Sequence, residues 1–363
     1  MITVAKPWLP NRDALDGYLD GIYERGWLTN NGPLVQELTR RLQAWLGVEH
    51  LLLLGNGTLA LQVAIRTLGV DVPLNGKPAE AITTPFSFIA TASALKWKGI
   101  EPVFVDIDPH SWNLDAQYVA AAVTPQTRVI VPVHVFGNAC EVEQIQAVAQ
   151  QHRLKVIYDA AHAFGVDYRG QSLLNWGDAA TLSFHATKAF HTVEGGAIVF
   201  KRAEDLQRAE QIINFGQSSP GRVDELGINA KMSELHAAMG LCVLDEMDAN
   251  LAARQRVWEA YHRAFGQQFA LQRWNPSASH GYTYFPLLLD SEQQLLDTMH
   301  RLAVQGIQTR RYFYPSLDTV TSLGKHPAQR ISIDTAARIL CLPLHAELVD
   351  ADMLKIIAGV KGV

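Results

Sequence analysis

Cysteine is the scarcest residue of interest in this chain, with three copies in 363 residues. The three are Cys140, Cys242 and Cys341. They lie far apart without a CxxC spacing, so the sequence supports no disulfide framework, zinc knuckle or iron–sulfur cluster. The histidines His134, His185 and His191 form neither HExxH nor another metal-ligand spacing. We therefore expect no metal site.

Long apolar runs and blocks of one charge are also missing. No apolar run approaches the ~20 residues that a membrane span needs. The N-terminal sequence MITVAKPWLPNRDAL lacks the charged-then-apolar order of a signal peptide. The net charge is −5, and no cluster of lysine and arginine suggests a polyanion or membrane surface. We expect a cytoplasmic protein that has neither nucleic acid nor membrane as a partner.

What the chain does contain is an alternation of short apolar runs and helical stretches from about residue 50. The runs lie at 50–54, 81–84, 102–105, 129–135, 155–158, 180–183 and 196–200. Most are apolar throughout, as expected for strands that helices cover on both faces. Helices are predicted between them, at 59–68, 88–96 and 141–151. This pattern predicts an α/β fold with a mostly parallel, doubly wound sheet.

The pattern changes after Lys201. One long helical region is predicted over 232–265, followed by a strand-like segment at 282–289, a helix near 292–305 and a closing segment with 339–343. A chain of this length favours about two domains. We expect residues 1–30 to form an N-terminal arm, 31–246 a large α/β domain and 247–363 a small α+β domain.

The most informative residue is Lys188, because of its neighbours. It ends the segment Ser183-Phe184-His185-Ala186-Thr187-Lys188, which precedes Glu194-Gly195-Gly196. Upstream, the apolar run at 155–158 is followed directly by Asp159. A carboxylate at one strand end and a lysine in the loop after a later strand suit pyridoxal phosphate (PLP). The carboxylate would keep the pyridine nitrogen protonated, and the amine would form a Schiff base with the aldehyde.

A glycine-containing turn, Gly55-Asn56-Gly57-Thr58-Leu59-Ala60, follows one predicted strand and opens a helix. Glycines allow close approach, and the first N–H groups of the helix favour a phosphate. The same GxGxxA spacing also fits a dinucleotide fingerprint. That fingerprint needs an acidic residue at the end of the next strand, and the strand at 81–84 has none. A plain strand–turn–helix connection is the third interpretation.

The other candidate residues each have an ordinary structural alternative. Asp159 could be a helix N-cap. If the segment after it is helical, His162 lies on the same face and could bond the phenolic oxygen of the cofactor, or it could be structural. Phe86 and Phe88 could stack on a flat ring or serve as core. Tyr312 and Tyr314 belong to an aromatic and cationic edge that suits a nucleotide or sugar, but also an interface.

Taken in chain order, these segments resemble the DegT/DnrJ/EryC1/StrS family of PLP-dependent sugar aminotransferases. The matching segments are 26–33, 56–58, 84–88, 105–108, 159–163, Lys188 and 340–344. The resemblance covers nearly the whole chain, and the ordered set is more specific than any single motif. It implies a fold-type I homodimer with active sites shared between the subunits.

The resemblance also implies roles for individual residues. Lys188 would be the Schiff-base lysine, Asp159 would pair with the ring nitrogen, and His162 would lie near the phenolic oxygen. Phe88 would stack on the ring. The phosphate contacts would be Gly57, Thr58, Leu59, Ser183 and, from the partner subunit, Asn229. The expected substrate contacts are His185, Glu194, Tyr312 and Tyr314.

The implied reaction takes an amino group from L-glutamate and gives it to a nucleotide-linked keto sugar. The segment His-Ala-Thr-Lys before Glu-Gly-Gly is most like enzymes that aminate C4 of dTDP-4-keto-6-deoxy-D-glucose, for surface polysaccharide or natural-product sugars. Relatives that aminate C3 usually read Tyr-Pro-x-Lys here. The alternatives are a C3-specific or UDP/GDP-sugar enzyme of the family, another PLP enzyme of the same fold, a nicotinamide dehydrogenase, or a non-catalytic sensor.

Overall fold

The strands begin and end close to the apolar runs of the sequence. The computed structural model describes residues 1–362. The strands are β1 His50–Leu54, β2 Glu80–Thr83, β3 Glu101–Phe104, β4 Thr127–Val131, β5 Lys155–Asp159, β6 Asp167–Tyr168, β7 Gln171–Ser172, β8 Ala179–Ser183, β9 Gly196–Phe200, β10 Gln217–Ser219, β11 Arg222–Val223, β12 Pro286–Leu288 and β13 Ile339–Cys341.

Most of the helices lie in the connections between these strands or follow the last strand of the main sheet. They are α1 Arg12–Arg25, α2 Pro33–Leu46, α3 Gly57–Thr67, α4 Ile89–Trp97, α5 Ala116–Val119, α6 Val142–His152, α7 Ala203–Ile212, α8 Glu234–Asp245, α9 Met247–Phe265, α10 Glu292–Val304, α11 Arg330–Arg338 and α12 Asp350–Lys361. Within residues 1–362 no helix is both long enough and apolar enough to cross a membrane.

Seven strands form one sheet in the order β1-β9-β8-β5-β4-β2-β3. Strand β9 is antiparallel to β1 and β8, and the remaining neighbours are parallel. Alternate side chains of β1 enter different cores, Leu51 and Leu53 beside α2 and α8, Leu52 and Leu54 beside α3. Burial on both faces explains why the strand sequences are apolar throughout. The predicted α/β class, with a mostly parallel sheet flanked by helices, is confirmed.

The sheet also determines where a ligand can bind. Because β1, β2, β5 and β8 point the same way, their carboxyl ends meet at one edge. In sheets of this kind ligands bind beyond that edge. The segments after these four strands carry most of the residues singled out above.

The helical region expected over 232–265, with only weak interruptions, is present, but it is not one long helix, because the chain forms two helices, α8 and α9, that meet at Glu246. Glu246 leaves helical geometry at φ −106°, ψ 11°. Its carboxylate accepts hydrogen bonds from the Trp8 indole and the Asn11 amide, both at 2.8 Å. These hydrogen bonds to a distant segment accompany the helix break. No glycine or proline marks the position of the break in the sequence.

Two predicted strands are longer in the sequence than in the structure. The run at 129–135 stops pairing regularly at Val131, because Pro132 has no N–H to donate, and continues only as an isolated bridge between Val133 and Asp159. The segment at 282–289 pairs as a strand only over Pro286–Leu288. Before it, Tyr282 has a φ of 47°, which takes the chain out of extended geometry.

A separate apolar core lies in the C-terminal part of the chain. It is formed by α9, α10, α12, β12 and β13, and Tyr261 and Phe265 lie at its centre with no exposed surface. The Tyr261 hydroxyl donates to the Pro343 carbonyl at 3.0 Å. This second core supports the proposed division at residue 246, which stays a prediction.

The first 25 residues contact both parts of the chain. The Ile2 amide bonds to the Gly306 carbonyl at 2.8 Å, and the Val4 carbonyl accepts from Leu344 at 3.2 Å. Helix α1 then packs on α8. The first residues therefore run along the C-terminal core, and the expected arm contains a helix of 14 residues.

Candidate active site

A pocket of about 720 Å³ opens at the carboxyl edge of the sheet. Its walls come from the segments that follow β1, β2, β5 and β8, and from three aromatic residues of the C-terminal part of the chain. It contains most of the predicted site residues, namely Gly57, Thr58, Leu59, Phe88, Asp159, His162, Ser183, His185, Lys188, Glu194 and Tyr312.

One end of the pocket is the N-terminus of α3. Asn56 caps this helix, because its side-chain oxygen accepts a hydrogen bond from the Leu59 amide at 2.9 Å. The Leu59 amide could therefore donate to a phosphate, as expected above, only if its hydrogen bond to Asn56 were broken. The amides of Gly57 and Thr58 have no hydrogen-bond partner in the part of the chain that the structure describes. Free N–H groups at a helix N-terminus attract an anion.

Two glycines let the surrounding backbone close on this helix end. A Cβ on Gly57 would lie 2.9 Å from the Cβ of Ser183, and one on Gly196 would lie 2.6 Å from the backbone of Asn56. Atoms of Ser183 and Asn56 fill these two spaces, so neither position tolerates a side chain without movement. The Gly-Gly pair after Glu194 thus allows β9 to pass directly behind the turn.

Asp159 ends β5 inside the pocket, with 7% of its surface exposed. Burial raises the pKa of its carboxyl group, while hydrogen bonds from Thr91 Oγ1 (2.7 Å) and the Ala161 amide (3.1 Å) and the charge of Lys188 oppose that rise. The segment after Asp159 forms turns and no helix begins there, so the capping interpretation is wrong. Each oxygen keeps a free lone pair for one further donor.

Lys188 lies in the loop between β8 and β9. The residue is half-buried, and its side chain lines the pocket. Burial lowers the pKa of its amine to about 8, against the opposing effect of Asp159. The backbone beside it is fixed, since Asn250, which is fully buried, donates to the Ala189 carbonyl at 2.8 Å. A buried amine with a lowered pKa is a nucleophile near neutral pH.

His162 reaches the pocket from a turn, and not from the helix considered above. Its Nδ1 accepts the Phe136 amide at 3.3 Å, so a neutral ring carries its proton on Nε2. Burial, and then the charge of Lys188, hold the pKa of His162 well below its usual value. The ring stacks on Phe313 at 5.6 Å between centroids. A neutral N–H donor therefore faces the ligand space.

The outer part of the pocket is polar on one side and aromatic on the other. His185 Nε2 lies 3.7 Å from a Glu194 oxygen, and both side chains are about half exposed. Phe88 begins the segment into α4 and exposes 56% of its surface, so its ring is free to stack on a ligand. Phe86, by contrast, is fully buried and packs edge-on to Phe313, which makes it a core residue.

Two predicted residues do not reach the pocket of the single chain. Asn229 is exposed and pairs with Asn214 in an isolated bridge outside it. Tyr314 exposes 52% of its surface and stacks on the Arg311 guanidinium at 3.5 Å. Any contact from either residue to a ligand would require another subunit or a movement of the chain.

Sequence reasoning missed Thr91 and Tyr284, and it noted Phe313 only as part of the aromatic edge with Tyr312 and Tyr314. Thr91 holds Asp159, Tyr284 contacts Lys188 through its hydroxyl at 3.3 Å, and Phe313 packs beside His162. Thr91 could have been noticed as a polar residue in the apolar stretch of α4. Tyr284 and Phe313 come from the C-terminal part of the chain, and no local pattern links them to Lys188.

The groups in this pocket fit pyridoxal phosphate. A ring nitrogen that can carry a proton suits the buried carboxylate of Asp159, an aldehyde suits the Lys188 amine, and a phosphate suits the free amides of α3. A neutral His162 N–H can donate to a phenolic oxygen.

Comparisons with known proteins point the same way. The DegT/DnrJ/EryC1/StrS aminotransferase family matches residues 12–361. A dTDP-4-amino-4,6-dideoxy-D-glucose transaminase of Shigella dysenteriae is 41% identical over 99% of this chain and 97% of the relative. The Escherichia coli protein of the same name is 36% identical over 98% and 96%. The crystal structure of DesI in the presence of its TDP-sugar product superposes with a TM-score of 0.91 at 34% identity, covering 99% and 93%.

The pKa of Lys188 gives a testable pH dependence. Only the neutral amine attacks an aldehyde, so covalent capture of pyridoxal phosphate by the cofactor-free protein should rise with pH and level off above about 8. An ordinary lysine would continue to gain reactivity up to about 10.4. The measurement is the rate of chromophore formation in stopped-flow absorbance, with Lys188→Ala as the control. A rate that still rises steeply at pH 9 would contradict the lowered pKa.

Proposed function

This chain belongs to the DegT/DnrJ/EryC1/StrS aminotransferase family, and we propose that it transfers the amino group of L-glutamate to C4 of dTDP-4-keto-6-deoxy-D-glucose. It is a nucleotide-sugar aminotransferase, and its cofactor is pyridoxal phosphate. The proposed product is dTDP-4-amino-4,6-dideoxy-D-glucose. The observation that carries the proposal is the full-length similarity to two transaminases of that name, together with the buried Lys188 amine.

The chemistry divides between the cofactor and the protein. When bound, pyridoxal phosphate supplies an electron sink for the carbon that gains or loses its amine. Asp159 would hold the ring nitrogen and favour its protonated form through a charged hydrogen bond. Thr91 and the Ala161 amide hold the Asp159 carboxylate in place by hydrogen bonds.

Lys188 performs two tasks in this proposal. Its neutral amine would hold the cofactor at the aldehyde. The same amine, when free, would carry the proton that transamination moves. A base works best when its pKa lies near the working pH, and burial has brought that of Lys188 to about 8.

The sugar would enter past the polar side of the pocket. His185 and Glu194 lie on the rim, and an exposed imidazole and carboxylate suit the hydroxyl groups of a hexose. Tyr312 adds an aromatic side chain to the lining of the same pocket. We propose these three as substrate contacts and Tyr314, which lies outside the pocket, as a more distant one.

We also propose that the enzyme is a homodimer whose subunits share their sites. Exposed apolar side chains lie beside the pocket and beside Asn229, including Phe88, Val193, Phe215 and Ile228, each exposed by 40% or more. Phe215 and Ile228 are hydrogen-bonded neighbours. A cluster of this kind marks a protein interface. In such a dimer Asn229 would reach the phosphate in the site of the other subunit.

The substrate proposal is tested with purified protein, L-glutamate and a panel of keto sugars. The panel contains dTDP-4-keto-6-deoxy-D-glucose, its 3-keto isomer, and the UDP- and GDP-linked 4-keto sugars. We expect amination of the first compound at C4, read by mass and NMR, and no turnover by Lys188→Ala. Amination of C3, or of UDP- or GDP-sugars alone, would contradict the assignment. A Lys188→Ala variant with unchanged biological output would indicate a sensor.

Shared sites are tested by mixing two inactive variants. In a dimer of Lys188→Ala with Asn229→Ala, one site combines the intact Lys188 with the intact Asn229. Co-expression of the two variants under different tags should therefore restore part of the wild-type activity in the doubly tagged fraction. If that fraction is no more active than either variant alone, Asn229 does not serve the other subunit.

A further inference from the structure

The Tyr284 hydroxyl lies 3.3 Å from the amine of Lys188. Over residues 1–362 this is the hydrogen bond that the Lys188 amine makes. The contact crosses from the loop after β8 to the segment before β12, so it joins the two parts of the chain at the reacting atom.

The aromatic residues around Tyr284 fix the position of its ring. His162 packs edge-on at 4.8 Å between centroids, Phe136 lies at 5.4 Å, and Tyr312 packs edge-on at 5.7 Å. Thr283, the preceding residue, donates to the His162 carbonyl at 3.1 Å. A hydroxyl on a ring held from several sides is a fixed point, while the lysine side chain that contacts it is flexible.

The hydroxyl is also able to bond either form of the amine. Burial raises the pKa of Tyr284, so the phenol stays neutral over the working pH range. A neutral phenol accepts a hydrogen bond from an ammonium and donates one to a neutral amine. An amine released inside the pocket is stabilised by such a partner, since a buried polar group without one is costly.

We propose that Tyr284 is the docking point of the Lys188 amine whenever the lysine is not bonded to the cofactor. The inference rests on the proposed function, because in transamination Lys188 alternates between a state bonded to the cofactor and a free state. By holding the free amine at one place, Tyr284 keeps it close to the atoms between which the proton moves. Tyr284 is a catalytic residue in this sense, since it touches the reacting group.

The first measurement is the half-reaction with L-glutamate in a single turnover. Tyr284→Phe should bind pyridoxal phosphate but lose roughly tenfold in the rate of cofactor conversion, as expected for one lost hydrogen bond in the transition state. The KM for the nucleotide sugar should not change. Tyr261→Phe is the matched control, because it removes a buried, hydrogen-bonded tyrosine hydroxyl outside the pocket and should react at the wild-type rate.

The second measurement needs no turnover. In the cofactor-free protein, Tyr284→Phe should capture pyridoxal phosphate covalently more slowly than wild type, because its amine is no longer held in place. Its affinity for pyridoxine 5′-phosphate, which has no aldehyde and cannot bond to the lysine, should equal that of wild type. That equality shows that the altered site is folded.

The outcomes separate the two proposals. Wild-type rates for Tyr284→Phe in both measurements would overturn the docking role. Loss of pyridoxine 5′-phosphate affinity would also overturn it, because Tyr284 would then act on the shape of the site. If wild-type protein fails to react with L-glutamate, the proposed function is wrong. The capture experiment still decides in that case whether Tyr284 positions the amine.

Discussion

Lys188 and Asp159 bring opposite charges into one pocket, and the chemistry of the site follows from the cost of burying them. Burial lowers the pKa of Lys188 to about 8 and raises that of Asp159, while their mutual attraction opposes both changes. Each group is left with bonding capacity that the protein does not fill. A cofactor with a protonated ring nitrogen and an aldehyde satisfies both, so binding relieves a cost that folding has imposed.

The sheet brings these two residues together without the need for long loops. Because neighbouring strands β5 and β8 are parallel, Asp159 and Ser183 end at the same edge, and the loop after Ser183 needs only a few residues to return Lys188 over it. The antiparallel β9 then leaves through Gly196, where backbone contact with Asn56 excludes any side chain. The backbone at the ends of these strands therefore fixes both the part of the site that faces a phosphate and the part that carries the amine.

Sequence reasoning predicted the parts of the site that depend on short-range pattern. Apolar runs located the strands. Asp159 at one strand end and Lys188 in the loop after another could then be recognised, because these strand ends share an edge. Sequence reasoning failed where contacts with a segment distant in the chain determine the local structure. The helix break at Glu246 accompanies hydrogen bonds from Trp8 and Asn11. Tyr284 contacts Lys188 because the C-terminal part of the chain packs near the loop after β8. No local periodicity carries that information.

The central claim is that the buried amine opposite Asp159 is the group that bonds to the cofactor. It is tested most directly by reducing the cofactor-loaded protein with borohydride, digesting it and locating the phosphopyridoxyl group by peptide mass spectrometry. The account predicts a single labelled peptide, modified at Lys188. Label on another lysine, or none on a protein that retains its cofactor colour before reduction, would contradict it.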